Sequence, residues 1–270
     1  MAKRDAVIKI NGKFDDEVFV NNKYGRHIRK APKKGTKKNE PALKEQYNRT
    51  GFLNTLAGDL NKVIGAYAGP LKPTNFYQVL QQHFRKEPVN NRFLLLKQLE
   101  GMEVNPKYAL NKLGDARVTV LTTAKTITVN LHILFHPSRY VGRYKADCYT
   151  YEVSLLCWKK GNGASFHARQ FSEWISLKDG LPDFDFGFTR PAGTVHWLVC
   201  LKQQLGINEE PVPTFRAEGM MIMSAWTSDK KDLALLAKKE EEESAKAEKA
   251  ATKKVQEQIV RVKAKAKRQL

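Results

Sequence analysis

Apolar and polar positions change their spacing three times along this chain, and each change marks a different kind of element. Between residues 5 and 30, short apolar runs alternate with turn dipeptides. Val7, Ile8 and Ile10 lead to Asn11-Gly12, Val18, Phe19 and Val20 lead to Asn21-Asn22, and a third run surrounds Tyr24 and Ile28. This predicts a ribbon of two or three short strands. A ribbon that small buries too little to be stable alone, so it must lie on its own body or on another subunit. Ala31-Pro32 and Gly35 then break regular structure and leave the lysines that follow on an extended connector.

From Asn39 the apolar spacing becomes helical. Asn39 is a candidate N-cap, Pro41 falls in the first turn where its missing N–H costs nothing, and Leu43, Tyr47, Leu53, Leu56, Leu60, Val63, Ile64 and Tyr67 recur every three to four residues. Gly69-Pro70 and Pro73 end this helix. Thr74 opens a second one carrying Phe76, Val79, Leu80 and Phe84, and Pro88 stops it. A third, over 91–99, presents Phe93, Leu96 and Leu99. Together these predict a helical layer at 39–113.

From Ala116 the period falls to two. In 125–135 the odd positions Ile127, Val129, Leu131, Ile133 and Phe135 are apolar while Thr126, Thr128, Asn130 and His132 are polar, as in a strand with one wet face. It pairs with 117–122 through Thr123-Ala124. Further strands are expected at 148–159, 166–177, 184–190, 194–202 and 219–226. In 148–159 the odd positions Tyr149, Tyr151, Val153, Leu155 and Cys157 form the apolar face, and Gly161-Asn162-Gly163 favours a hairpin onward. Seven closely spaced strands without intervening helices predict an antiparallel sandwich over 114–227, jelly-roll or immunoglobulin-like.

The stretch 228–270 is rich in Ala, Lys and Glu, lacks Gly and Pro, and holds Glu242/Lys246 and Glu257/Arg261 at i,i+4. A continuous helix there would extend on the order of 60 Å. Its apolar residues are too sparse for a sustained heptad seam, which leaves self-association near 255–262 as one possibility. The fold class expected is therefore α+β: an N-terminal ribbon and connector over 1–38, a helical layer, an antiparallel β-sandwich and a long charged C-terminal helix.

Charge changes this picture most. The 270 residues carry 47 Lys and Arg against 28 Asp and Glu, a formal charge of +19, and the excess is clustered at the ends. Such a field attracts phosphate backbones or acidic protein surfaces. Arg26, Arg29, Lys30, Lys33, Lys34, Lys37 and Lys38 occupy the N-terminal arm, and Lys263, Lys265, Lys267 and Arg268 the C-terminal tip. Arg139, Arg143 and Lys145 alternate with Tyr140 and Tyr144, a pattern suited to holding a backbone and stacking a base. The plainer reading of that stretch is a surface loop.

Cys148, Cys157 and Cys200 are odd in number, lack CxxC spacing and lie in apolar runs, so neither a disulfide framework nor a zinc knuckle is expected. No apolar leader or membrane-length stretch is present, which predicts a soluble protein, cytoplasmic or virion-associated, without a membrane partner. No cofactor and no enzymatic activity are expected. His132 and His136, with His167 or His196, form the best metal-site lookalike on a cupin-like sandwich, but no carboxylate stands at ligand spacing nearby. Asp183 and Asp185 have the form of a carboxylate pair, yet the alternating Phe184, Phe186 and Phe188 explain the segment as a strand. The four tryptophans, Trp158, Trp174, Trp197 and Trp226, are expected to fill the core.

In the first 65 or so residues, Val18-Phe19, Gly25, Arg29-Lys30-Ala31-Pro32, the Lys-rich run and the apolar series from Leu43 to Val63 stand in an order that resembles a loose group of uncharacterised basic proteins of Bacteroidetes bacteria and their phages. At the first tight turn Asn21-Asn22 replaces the glycine of that group. The resemblance implies no activity. It does place the chain in a phage or mobile-element context, and the expectation is a non-enzymatic structural or binding protein that uses basic arms on nucleic acid or acidic neighbours, as a homo-oligomer or in a larger assembly. The alternative expectation is a sandwich module that binds carbohydrate or protein.

Overall fold

The structure is a computed structural model and describes residues 12–14, 17–22, 25–30, 40–138, 141–161 and 165–266. The expected first apolar run, the connector breaks at Pro32 and Gly35, the Asn39 cap and the Asn162-Gly163 turn lie outside these residues. The chain divides into two compact units, Met1–Asn48 and Arg49–Leu270.

In the first unit β1 (Gly12–Phe14), β2 (Glu17–Asn22) and β3 (Gly25–Lys30) form an antiparallel sheet in chain order. Val18 stands opposite Arg29 and Val20 opposite His27, while Phe19 meets Ile28 and Glu17 meets Lys30. Cross-strand partners share a face, so the register alternates between the two sides of the ribbon. Helix α1 (Glu40–Ala68) begins in this unit and ends in the next, with Pro41 in its first turn.

The second unit opens with helices that bury one stripe each. In α1, Leu56, Leu60, Ile64 and Ala68 are buried, and α2 (Phe76–Arg85) buries Phe76, Leu80 and Phe84 at four-residue spacing. In α3 (Arg92–Lys97), Asn91 is the N-cap, its Oδ1 accepting from the Leu94 N–H at 3.0 Å. The strands follow: β4 (Asp115–Thr122), β5 (Thr126–Phe135), β6 (Cys148–Lys159), β7 (Ser165–Phe171), β8 (Ile175–Ser176), β9 (Asp183–Thr189), β10 (Thr194–Ile207), β11 (Glu210–Pro211) and β12 (Glu218–Thr227). One helical turn, α4 (Val141–Tyr144), separates β5 from β6, and α5 (Lys230–Ala266) closes the described chain.

All pairings are antiparallel, and one sheet curls as a half-barrel. The larger sheet runs β11-β10-β6-β7, with β12 also on β10 and β8 on β6; the smaller runs β4-β5-β9. Two cores lie on the two faces of the larger sheet. Leu156, Trp158, Leu198, Cys200, Met220 and Ile222 pack with α1, α2 and α3. Tyr149, Tyr151, Val153, Leu155, Val199 and Leu201 pack with Ile127, Val129, Leu131, Ile133 and Phe186 of the smaller sheet.

This arrangement corrects three expectations. Strand β6 has no wet face: every residue from Cys148 to Trp158 is buried, because helices cover the even side and the smaller sheet covers the odd side. The stretch 166–177 is not one strand. At Ser172 the side chain enters the ladder, its Oγ accepting from the Tyr151 N–H at 2.9 Å, and the chain breaks into β7 and β8. Trp226, expected inside, is 41% exposed near the end of β12, its Nε1 donating to Ser224 Oγ at 3.0 Å. Trp158 and Trp197 are buried as expected.

The outer edge of β12 is covered by its own chain. The Gly101 N–H donates to the Ile222 carbonyl at 2.8 Å, Ile222 N–H to Met102 at 2.9 Å, and Val104 N–H to Met220 at 2.8 Å. Burying the edge in this way removes a template for foreign strands. Behind it, the turn at Leu110 crosses β12 so closely that a Cβ on Gly219 would lie 2.8 Å from the Leu110 Cα. Backbone cannot yield there, so Gly219→Ala is expected to lower stability by about 1–3 kcal/mol. Gly58, inside α1 with nothing within 4 Å of an added Cβ, is expected to gain about 0.5–1 kcal/mol as Ala. Denaturant unfolding of the two variants checks the opposite signs.

Candidate functional site

The cationic residues fall on separate elements. Arg26, Arg29 and Lys30 all lie in β3; Arg29 and Lys30 are exposed and alternate in register, Arg29 with His27 on the Val18 and Val20 side and Lys30 with Ile28 on the Phe19 side. Ile28, on the same face as Lys30, is 58% exposed. Lys33, Lys34, Lys37 and Lys38 lie outside the described residues, as do Arg139, Lys267 and Arg268. Arg143 and Lys145 are brought together on the α4 turn, both exposed. The Arg143 guanidinium lies 5.6 Å from the centroid of the Tyr144 ring, and Lys145 adopts φ +52°, where a side chain is uncommon. Lys263 and Lys265 lie in the last turns of α5.

The four histidines considered as metal ligands, His132, His136, His167 and His196, sit at separate places. His132 pairs with Asp183, and Asn130 with Asp185, as direct cross-strand neighbours of β5 and β9. Asp183 and Asp185 are therefore tied to polar partners on an exposed sheet face. His136 shares a hydrogen bond with the Tyr149 hydroxyl at 2.9 Å and donates from Nε2 to the Asp179 carbonyl at 3.0 Å. Among the described residues no three His, Cys, Asp or Glu side chains are grouped to hold a metal ion.

What the sequence pattern hides is a polar strip across the larger sheet. From β7 to β6, β10 and β12 it runs Arg169, Glu152, Lys202, Glu218. Arg169 is 3.6 Å from Glu152, Lys202 stands opposite Glu152 in register, and Lys202 Nζ is 2.8 Å from Glu218 Oε2. Gln204 adds a donor to Glu218 at 2.8 Å. Burial pushes the Glu152 carboxyl up, and the charges of Lys202 and Arg169 partly offset that. At the β7 end the Arg169 guanidinium sits between two rings, 5.5 Å from Tyr67 and 5.3 Å from Phe171, and the Tyr67 hydroxyl shares a 2.5 Å hydrogen bond with His167 Nδ1. Burial pushes the Tyr67 phenol up, which favours a hydrogen-bonding hydroxyl over a phenolate nucleophile. The strip alternates cation and anion, so it neutralises itself and orients Arg169 without adding to the basic field.

A second cluster fixes the root of α5. Asp232 is buried and accepts from Asn91 Nδ2 at 2.7 Å, His196 Nε2 at 2.6 Å and Thr227 Oγ1 at 3.2 Å. One turn pair further on, Lys239 meets the fully buried Glu87. Burial alone would push the Asp232 carboxyl up, but the bonds from Asn91 and His196, the His196 charge and the bond from Thr227 outweigh it and hold it below its ordinary value. No sequence signal marks Asp232, since its partners come from residues far away in the chain.

Comparison with protein-family models, with curated proteins and with solved structures finds no match. Among the described residues no helix is long and apolar enough to cross a membrane.

A carboxyl depressed in the folded state stabilises the fold above its unfolded pKa of about 3.9, and that contribution is lost as pH falls through the folded value. The protection factors of backbone amides at the start of α5 are therefore expected to fall as pH drops below about 4. At neutral pH, Asp232→Ala is expected to cost about 1.5–3 kcal/mol in denaturant unfolding, the range for hydrogen bonds to a charged group.

Proposed function

We propose that this is a non-enzymatic structural or binding protein, of phage or mobile-element type, whose basic arms grip nucleic acid or acidic neighbours within an assembly, in the cytoplasm or a virion. The observation that carries the proposal is the first unit, a thin ribbon whose described cations and Ile28 face solvent. Residues 1–48 hold 13 Lys and Arg against 6 Asp and Glu, and residues 249–270 hold 8 against 1. On this reading the two packed sheets are an antiparallel sandwich of jelly-roll or immunoglobulin-like kind that acts as scaffold, and α5 projects the second arm as a charged helix. The shared core between the sheets supports the first part. Arg143 and Lys145 add a body contact, and the self-neutralised strip stays out of the interface.

A second reading, a sandwich module that binds a protein or glycan, is favoured by an open pocket of about 540 Å3 lined by Pro70, Pro211, Pro213 and Phe215 with Gln204 and Glu218 at its side. Proline and aromatic walls with two polar groups suit such a ligand.

The two readings differ in salt dependence. For a DNA duplex the logarithm of affinity should fall linearly with the logarithm of salt, with a slope near −0.9 for each phosphate contact, and removing residues 23–38 should flatten that slope by several contacts. Arg29→Ala with Lys30→Ala should flatten it by about two. Affinity unchanged after the deletion, or no binding at low salt, removes nucleic acid as the partner.

A further inference from the structure

We propose that the outer face of the smaller sheet packs face to face against the same face of a second copy of this chain. The proposal stands apart from the nucleic-acid reading and rests on the side chains of β4, β5 and β9 that point away from the body.

One face of this sheet is taken up by the core it shares with the larger sheet, which leaves the other for a partner. The register across β4, β5 and β9 sets that outer face in three rows: Arg117, His132 and Asp183; Thr119, Asn130 and Asp185; Leu121, Thr128 and Gly187. In a chain with 47 Lys and Arg, these rows hold one cation and neither lysine nor glutamate. Depletion of those two residues marks interfaces rather than free surface, and short side chains lose little freedom when covered. Leu121 is 62% exposed on this face, and Gly187, two strands away in the same row, has nothing within 4 Å of an added Cβ. The carboxylates are fixed from the β5 side, Asp185 Oδ1 accepting from Asn130 Nδ2 and Asp183 Oδ1 sharing a hydrogen bond with His132 Nδ1. A carboxylate accepts more than one donor, so each has room for another. No hydrogen bond or ion pair engages the exposed Arg117 among the described residues.

A two-fold axis lying along β5 turns the second face so that its β4 lies over β9 while its rows keep their heights. Arg117 of each copy then meets Asp183 of the other, the Thr119 hydroxyl meets Asp185, and Leu121 enters the gap over Gly187. An axis across the strands through Asn130 would instead set Arg117 against Leu121 and Asp183 against Gly187, leaving both charges without a partner. Ion pairing and a side chain seated over a glycine, which are independent of one another, thus favour the same axis. Sheets stacked in this way lie about 10 Å apart with strands crossing at about 30°, a displacement within the reach of an arginine. The contact uses the same surface on both copies and closes as a dimer.

The test is sedimentation velocity of the full chain after nuclease treatment, which removes nucleic acid as a bridge. A concentration-dependent dimer is expected. Arg117→Asp should raise its dissociation constant on the order of tenfold or more, and adding Asp183→Arg should restore it. Gly187→Leu fills the gap and should weaken the dimer to a similar degree; an added Cβ there meets nothing within its own chain, so the fold is kept. Geometry is read by single cysteines and a short bismaleimide: Thr128→Cys, on the axis, should cross-link to its counterpart, and the exposed Glu210→Cys, on the larger sheet, should not. The native thiols do not interfere, because burial pushes Cys157 and Cys200 up to about 12 and Cys148 up to about 11. Circular dichroism checks that the variants fold; if Arg117→Asp does not, Gly187→Leu and the cross-link still decide. A monomer at every concentration overturns the proposal, as does a dimer that none of these variants weakens, or one in which Glu210→Cys cross-links as readily as Thr128→Cys.

Discussion

The pairing of β6 with β10 is the constraint on which the second unit depends. Twelve residue pairs run from Thr194 opposite Lys159 to Gly206 opposite Cys148, and side chains of both parities are buried along almost the whole length. A pair buried on both faces needs two covers. Helices α1, α2 and α3 supply one and β4, β5 and β9 the other, so a change in either core is felt through the same two strands. The covers also set where glycine is required: Gly206 lies under the Trp174 ring, and Gly219 under the turn at Leu110. Where the helical cover ends, the sheet face turns polar. Unpaired charges at such a margin would be costly, and the alternation of Arg169, Glu152, Lys202 and Glu218 avoids that cost by giving each carboxylate a neighbouring cation.

Much of this was legible in the sequence. The helical stripes of α1 and α2 and the period-two runs of β5 and β6 identified elements and one of their faces, because those patterns are local. The other face of β6 was not legible. Thr150, Glu152 and Ser154 have the composition of a wet face, and only the cross-strand register with Lys202 and Arg169 shows them buried and paired. Asp232 was hidden for the same reason: its partners Asn91, His196 and Thr227 come from a helix cap and two strands. Asp183 and Asp185, weighed as a catalytic pair, resolve into neighbours of His132 and Asn130 once β9 is laid beside β5. The N-terminal arm was readable as charge but not as shape, since Lys33, Lys34, Lys37 and Lys38 lie outside the described residues.

The distribution of charge separates two tasks. Within the body, several cations are engaged: Lys202 with Glu218, Arg169 with Glu152, Lys239 with Glu87, and Arg190 with the carbonyls of Thr123 and Thr194. On β3 they are exposed, and along the last half of α5 they are scarcely offset in sequence. Engaged cations hold a fold in place, whereas exposed and clustered ones generate the field that reaches a partner.

The Asn91 carboxamide does two things at once, its oxygen capping α3 and its nitrogen holding Asp232 at the foot of α5. Considered mechanically, α5 is a lever some 55 Å long by the rise of a helix, and tension applied at its tip meets the Lys239–Glu87 pair before it reaches Asp232. From there the load divides among α3 through Asn91, β10 through His196 and β12 through Thr227. Because β10 lies between β6 and β12 in the larger sheet, a load that reaches His196 is shared by two paired strands.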